Sequence, residues 1–122
     1  MKKKKQQQAK DFALEAAKVA QERHCQDVVV LVLCDISPAT DYFVIATGTS
    51  DRQMRTVCDE ISEVARNNSF ERFGRAGYEQ ACWILLDFVD VVVHIFSTDY
   101  RNYYDLELLW GDAQRLKFED LD

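Results

Sequence analysis

At 122 residues, with 48% hydrophobic and 30% charged side chains, the chain has room for one well-cored domain and not for two. Its longest apolar run, Val28–Cys34, is far short of a membrane span, and no apolar stretch of the kind a secretory leader needs follows the polar Lys2–Gln8 segment. The net charge of −6 is lopsided: Lys2–Lys5 hold four of the 15 basic residues, and from Gln6 onward 11 basic residues face 21 acidic ones, a balance of −10. Such a body repels nucleic-acid phosphate and suits a basic partner, so direct sequence-specific nucleic-acid binding is not expected.

In chain order, residues 1–8 read as a disordered basic and polar tail and residues 9–122 as one domain in the cytoplasm. The lysine run is more simply a solvated tail than a contact for RNA or anionic lipid. Ala9–His24 follows as a helix, with Phe12, Ala16, Val19 and Ala20 on one stripe. His24 closes it, where positive charge is favourable. Val28–Cys34, opened by Asp27, is β-branched and apolar on both faces, as a covered central strand would be. Pro38 ends regular structure before a second strand, Tyr42–Thr47. Ser50 and Gln53 then form a capping box, opening a helix that carries Met54, Val57, Cys58, Ile61, Val64 and Ala65 on one face. Asn67-Asn68 stops it, because asparagine tolerates the left-handed conformation.

Phe70–Arg75 reads as a short strand, followed by a turn at Gly77-Tyr78. Cys82–Phe88 and Val91–Phe96 are joined only by Val89-Asp90, which requires an antiparallel hairpin. A last helix, capped by Ser97 or Thr98, runs through Tyr100, Tyr103, Tyr104, Leu108 and Trp110 to Gly111. The expected fold is a single α/β domain with a mixed sheet of four to five strands and flanking helices.

Candidate chemistry is sparse. Gly48-Thr49-Ser50 between strand and helix resembles a phosphate cradle, but the lysine and further glycines of a P-loop are missing, and a capped helix start accounts for it. A nucleotidyltransferase would need converging carboxylates for magnesium, and Asp35, Asp41, Asp87 and Asp90 form no Asp-x-Asp pair. His94 sits mid-strand, sharing a face with Val92 and Phe96. As a base it would require a nucleophile, for which Cys82 is the candidate, and an orienting acid, for which Asp87 depends on the hairpin register. A histidine hydrogen-bonded within the sheet is the plainer reading. Cys25, Cys34, Cys58 and Cys82 lack CxxC spacing, so neither zinc nor a disulfide framework is expected. No catalytic residue, cofactor or metal is assigned. Three helices can hardly cover both faces of such a sheet, so part of its aromatic surface should stay open as a contact patch.

Two blocks resemble a known family. Ser37–Ile61, with Thr40-Asp41-Tyr42-Phe43-Val44-Ile45, Gly48-Thr49-Ser50 and Arg52-Gln53, is similar to one signature of the ribosomal silencing factor (RsfS, Iojap) family. Gly77–Ala113, with Trp83 through Asp87, Asp90-Val91-Val92-Val93-His94 and Tyr104–Trp110, is similar to the other. The resemblance implies a nucleotidyltransferase-like fold that has lost its catalytic carboxylates. It implies a translation inhibitor, not an enzyme, that binds the large ribosomal subunit through ribosomal protein L-fourteen. Subunit joining would thereby be blocked when nutrients are scarce. It places the contact on Trp83, Leu86, Asp87, Asp90, His94 and Tyr104. One departure stands out: Val89 occupies a turn position where the family usually has glycine. The alternatives are a nucleotidyltransferase-like enzyme or nucleotide-binding protein using Ser50, and a homodimer whose open sheet face is its self-interface.

Overall fold

The computed structural model describes residues 2–70, 72 and 74–116, with only the helical backbone for residues 2–6. Helix α1, Lys2–Glu22, begins earlier than its apolar stripe. The run expected as a tail is helical from Lys2, because lysine and glutamine propagate a helix well once later turns are anchored. The anchor is Ala9, Phe12, Ala13, Ala16, Ala17 and Ala20, all buried at helical spacing. Their small size brings the helix close to the sheet.

The end of α1 differs from the expectation. His24 adopts φ 69°. The Cys25 N–H bonds the Ala20 carbonyl at 2.9 Å and the His24 N–H bonds that of Gln21 at 3.0 Å, a Schellman closure with His24 at the left-handed position. His24 therefore serves through its backbone.

Strand β1, Gln26–Val32, runs antiparallel to β2, Tyr42–Thr47, with a bulge between Gln26 and Val29 where Asp27 has φ 48°. Helix α2, Asp51–Asn67, buries Met54, Val57, Cys58, Ile61 and Ala65. It stops at the expected Asn67-Asn68, with Asn68 as its cap, but the left-handed residue is the one after. Ser69 takes φ 64°, and the Phe70 N–H reaches the Ala65 carbonyl at 2.8 Å. That closure aims Phe70 at Phe12, with ring centroids 4.8 Å apart.

Strand β3 is Gly74–Ala76, a later and shorter stretch than Phe70–Arg75; Glu71 and Phe73 lie outside the described residues. After it, Gly77 turns at φ 79°, and a Cβ there would stand 2.0 Å from the Trp83 carbonyl oxygen, so only glycine fits. Strands β4, Trp83–Asp87, and β5, Val91–Phe96, form the expected antiparallel hairpin. The expected last helix is two short ones, α3, Thr98–Tyr103, and α4, Leu106–Leu109. Asp105 breaks it by accepting the Leu108 N–H on its own carboxylate at 3.1 Å.

A sixth strand, β6, Gln114–Leu116, returns to pair with β1, giving the sheet order β3-β4-β5-β2-β1-β6. The count of four to five strands is thus one short. β6 is three residues of mostly polar character, and it acquires strand form only by pairing. Central β2 and β5 are parallel; every other pair is antiparallel.

Helices α1 and α2 cover one face, meeting Val30, Val44, Ile84, Leu86, Val93 and Ile95 in the main core. The opposite face carries a smaller cluster of Leu31, Leu33, Ile45 and Phe96, roofed by Phe43, Trp83, Leu106 and Trp110. No helix among the described residues is long and apolar enough to cross a membrane.

Candidate partner-binding face

The second face holds the candidate site. Along β4 the burial alternates: Ile84 and Leu86 are fully buried towards α1 and α2, whereas Trp83, Leu85 and Asp87 are half-buried on the other side. Leu86 therefore belongs to the core and not to a contact surface, a correction that follows from strand alternation alone.

His94 is buried on the same face as Trp83 and stands opposite Leu85. The Trp83 indole N–H donates to His94 Nδ1 at 3.1 Å. An imidazole that accepts on Nδ1 carries its proton on Nε2, and Nε2 has no partner. Burial pushes the His94 pKa down to about 4, so the ring is neutral at physiological pH. Phe43 meets it edge-on at 4.5 Å. His94 is thus a structural ring beneath the face, not part of its outer skin.

The catalytic arrangement does not assemble. Cys82 lies beyond the strand, its carbonyl taking the Ser97 N–H, and its thiol points to the Gln80 carbonyl at 3.6 Å. Asp87 stands opposite Val92, two residues along from the Leu85–His94 pair. Three of the phosphate-cradle N–H groups are spent internally. Gln53 Oε1 takes the Thr49 N–H, Ser50 Oγ takes the Gln53 N–H at 3.1 Å, and the Phe96 carbonyl takes the Gly48 N–H at 2.7 Å. Gly48 serves packing: a Cβ there would lie 2.2 Å from Met54 Cγ. Among the described residues, no group of three or more His, Cys, Asp or Glu side chains is placed to hold a metal ion.

The hairpin tip is strained. Val89 has φ 72°, and the Asp90 N–H bonds the Phe88 carbonyl at 2.9 Å around it, a γ-turn of the rare kind. Asp87 Oδ1 accepts the Val89 N–H at 2.8 Å, and the Asp90 carbonyl receives the N–H groups of Asp41 and Tyr42 at 3.0 and 3.1 Å. The tip is clamped on both sides, which holds a β-branched residue where glycine is preferred. Val89→Gly should relieve about 1–2 kcal/mol of strain while returning about 0.5–1 kcal/mol through the freer unfolded chain. A net stabilisation near 1 kcal/mol is expected in urea unfolding; a destabilised variant would show the turn to be relaxed.

Beside β4 the aromatic segment continues outward. Trp83 stacks on Phe96 at 4.9 Å and meets Tyr104 at 5.0 Å, while Trp110 approaches Phe43 at 6.1 Å. Arg101 fixes this segment. Its guanidinium bonds Glu107 Oε1 at 2.6 and 3.0 Å and Thr47 Oγ1 at 3.0 Å, tying α3 to α4 and to the end of β2. Outside that clamp Tyr100, Tyr103, Tyr104, Leu108 and Leu109 are exposed. Neither leucine is among the contact residues that the family resemblance implies. The missed signal is Asp105: a capped helix of four residues can turn only part of its Leu106-Glu107-Leu108-Leu109 run inward.

Trp83, Asp87, Asp90 and Tyr104 thus remain accessible in part, around one edge of the second face, with Leu86 and His94 beneath the surface. Residues 6–122 match the family described as "Ribosomal silencing factor during starvation" (RsfS). The chain is 40% identical over 104 residues to ribosomal silencing factor RsfS of Halalkalibacterium halodurans, spanning 85% of this chain and 89% of that protein. With RsfS of Bacillus subtilis the identity is 41% over 98 residues, 80% of this chain and 83% of the relative. A crystal structure from Bacillus halodurans superposes with a TM-score of 0.71 at 37% identity, covering 87% of this chain and 93% of the other. One from Chromobacterium violaceum gives 0.77 at 29% identity, covering 92% and 90%. The similarity extends to the chloroplast protein Iojap of Arabidopsis thaliana, 33% identical over 111 residues, 89% of this chain and 46% of that protein. The chain belongs to the ribosomal silencing factor (RsfS) family.

Proposed function

We propose that this chain represses translation by binding the large ribosomal subunit through ribosomal protein L-fourteen and keeping the small subunit from joining when nutrients are scarce. Family membership supports a ribosome-associated translation regulator and not an enzyme. The observation that carries the contact assignment is the half-buried Trp83, in contact with exposed Tyr104 and sharing with Asp87 a strand face that the long helices leave uncovered. Aromatic anchors beside acidic groups suit a basic protein surface, and the body of the chain, at 11 basic against 21 acidic residues, steers towards one. The contact set becomes Trp83, Asp87, Asp90 and Tyr104. The chain acts in the cytoplasm, and a homodimer formed through Tyr103, Leu108 and Leu109 would compete with the subunit for this face.

Sedimentation with separated subunits tests the reading. Wild-type chain is expected to pellet with large subunits and not with small ones. Asp87→Asn keeps an oxygen for the Val89 N–H while removing the charge, and should weaken association about five- to ten-fold. Failure of the wild-type chain to pellet with large subunits would overturn the function. Unchanged binding by Asp87→Asn would remove Asp87 from the contact.

A further inference from the structure

Three tyrosines of the last segment are placed in a way that subunit binding alone does not require. Tyr100 and Tyr103 fall at i and i+3 on α3, and Tyr104 caps its C-terminus with its ring against both of theirs. The Tyr104 ring lies 5.7 Å from Tyr100 at an interplanar angle of 38° and 4.8 Å from Tyr103 at 69°. With Asp99 they line an open recess of about 290 Å³. Tyr103 is 79% exposed and the other two 40%, a large aromatic area to leave in water.

The faces of these rings carry negative electrostatic potential, and the recess that the three rings line has a carboxylate, that of Asp99, in its wall. A cation is the complementary occupant. The neighbouring Arg101 does not fill the role, because its guanidinium is held by Glu107 and Thr47 and its side chain is 9% exposed. Among the described residues, the cation–ring contacts are those of Arg55 and Arg75, both on Tyr78.

We propose that Tyr100, Tyr103 and Tyr104, with Asp99, form an aromatic cage that captures a lysine or arginine side chain of the basic protein this face binds. The identity of the partner rests on the function proposed above; the cationic occupant rests on the aromatic lining of the recess and its carboxylate. The cage supplies specificity that a flat apolar patch lacks, since an aliphatic or acidic side chain gains nothing from the ring faces.

Two measurements on the full chain test it. In the first, tyrosine ring resonances are followed by NMR while tetramethylammonium, N-acetyl-lysine methylamide or neutral neopentyl alcohol is added. The two cations are expected to shift Tyr100, Tyr103 and Tyr104, less so in Asp99→Asn, and the alcohol is not. Equal shifts with the alcohol would overturn the cage. In the second, large-subunit binding is compared for Tyr103→Phe and Tyr103→Leu, both at an exposed position. Phenylalanine keeps the ring face and should bind within about two-fold of wild type, whereas leucine keeps only apolar area and should bind roughly ten-fold more weakly. Wild-type affinity in Tyr103→Leu would overturn the cage while leaving the function intact. If the wild-type chain fails to bind large subunits, the function falls, and the NMR titration still decides the cage.

Discussion

Trp83→Ala is expected to lower the unfolding free energy by about 4 kcal/mol. The ring stacks on Phe96 and touches Tyr104, and its N–H is the partner of His94 Nδ1. Truncating a large aromatic costs about 3–5 kcal/mol when it is fully buried. Trp83 is half-buried, which places the packing loss at the low end of that range. The remainder comes from His94, which would be left with both ring nitrogens unpartnered in a buried site, at about 1–3 kcal/mol. Trp83→Phe preserves most of the stacking and should cost only about 1–2 kcal/mol, mainly the lost hydrogen bond. Urea unfolding followed by circular dichroism measures both, provided the dependence on denaturant is unchanged. A cost below about 1 kcal/mol for alanine would mean that the ring is a surface group. For function the consequence is direct: a ribosome-binding defect in Trp83→Ala would mix lost contact with lost fold, and Asp87→Asn and Tyr103→Leu separate the two.

Acid should weaken the fold through His94. In the folded chain burial holds this imidazole at about 4, whereas in the unfolded chain it titrates near the ordinary 6.5. Between those values the unfolded chain binds a proton that the folded chain refuses, so stability rises with pH across the window. The contribution is fully present above about 6.5, declines as pH falls, and is gone below about 4. The gap is worth about 3 kcal/mol. Hydrogen bonding to Arg23 holds the Glu60 carboxyl below its ordinary 4.5, so its loss begins at lower pH, and its exposure keeps that loss small. His94→Gln should abolish the slope between pH 6.5 and 4 even though the variant is less stable overall. A slope that survives the substitution would assign the acid sensitivity to other groups.

Much of the fold was legible because its signals are local. The α2 stripe, the Ser50–Gln53 capping pair and the bounds of β2 and β5 follow from periods of 3.6 and 2 and from side chains satisfying nearby N–H groups. The hairpin followed from a two-residue connection, and the strain at its tip from the one position where valine replaces an expected glycine. The candidate site was legible only in composition. The sequence crowds Tyr100, Tyr103, Tyr104 and Trp110 into its last helical segment, and alternation along β4 pairs Trp83 with Asp87. The same alternation already separated Leu86 from Trp83, yet the family resemblance drew both into one contact set.

What the amino-acid sequence determined by itself is the family, the α/β class, the capped central helix and the hairpin with its strained tip. Each rests on residues close together in the chain, whose dihedral preferences and hydrogen bonds act without distant help. Only the tertiary structure decided that β6 exists, since a short polar strand takes its form from the β1 edge it joins. Only it decided that the last segment is held by Arg101 against Thr47, because that hydrogen bond joins residues far apart in sequence. The burial of His94 and the exposure of Tyr103 have the same origin. Which face of a sheet stays open depends on what covers it, and the cover comes from elements that local pattern does not place.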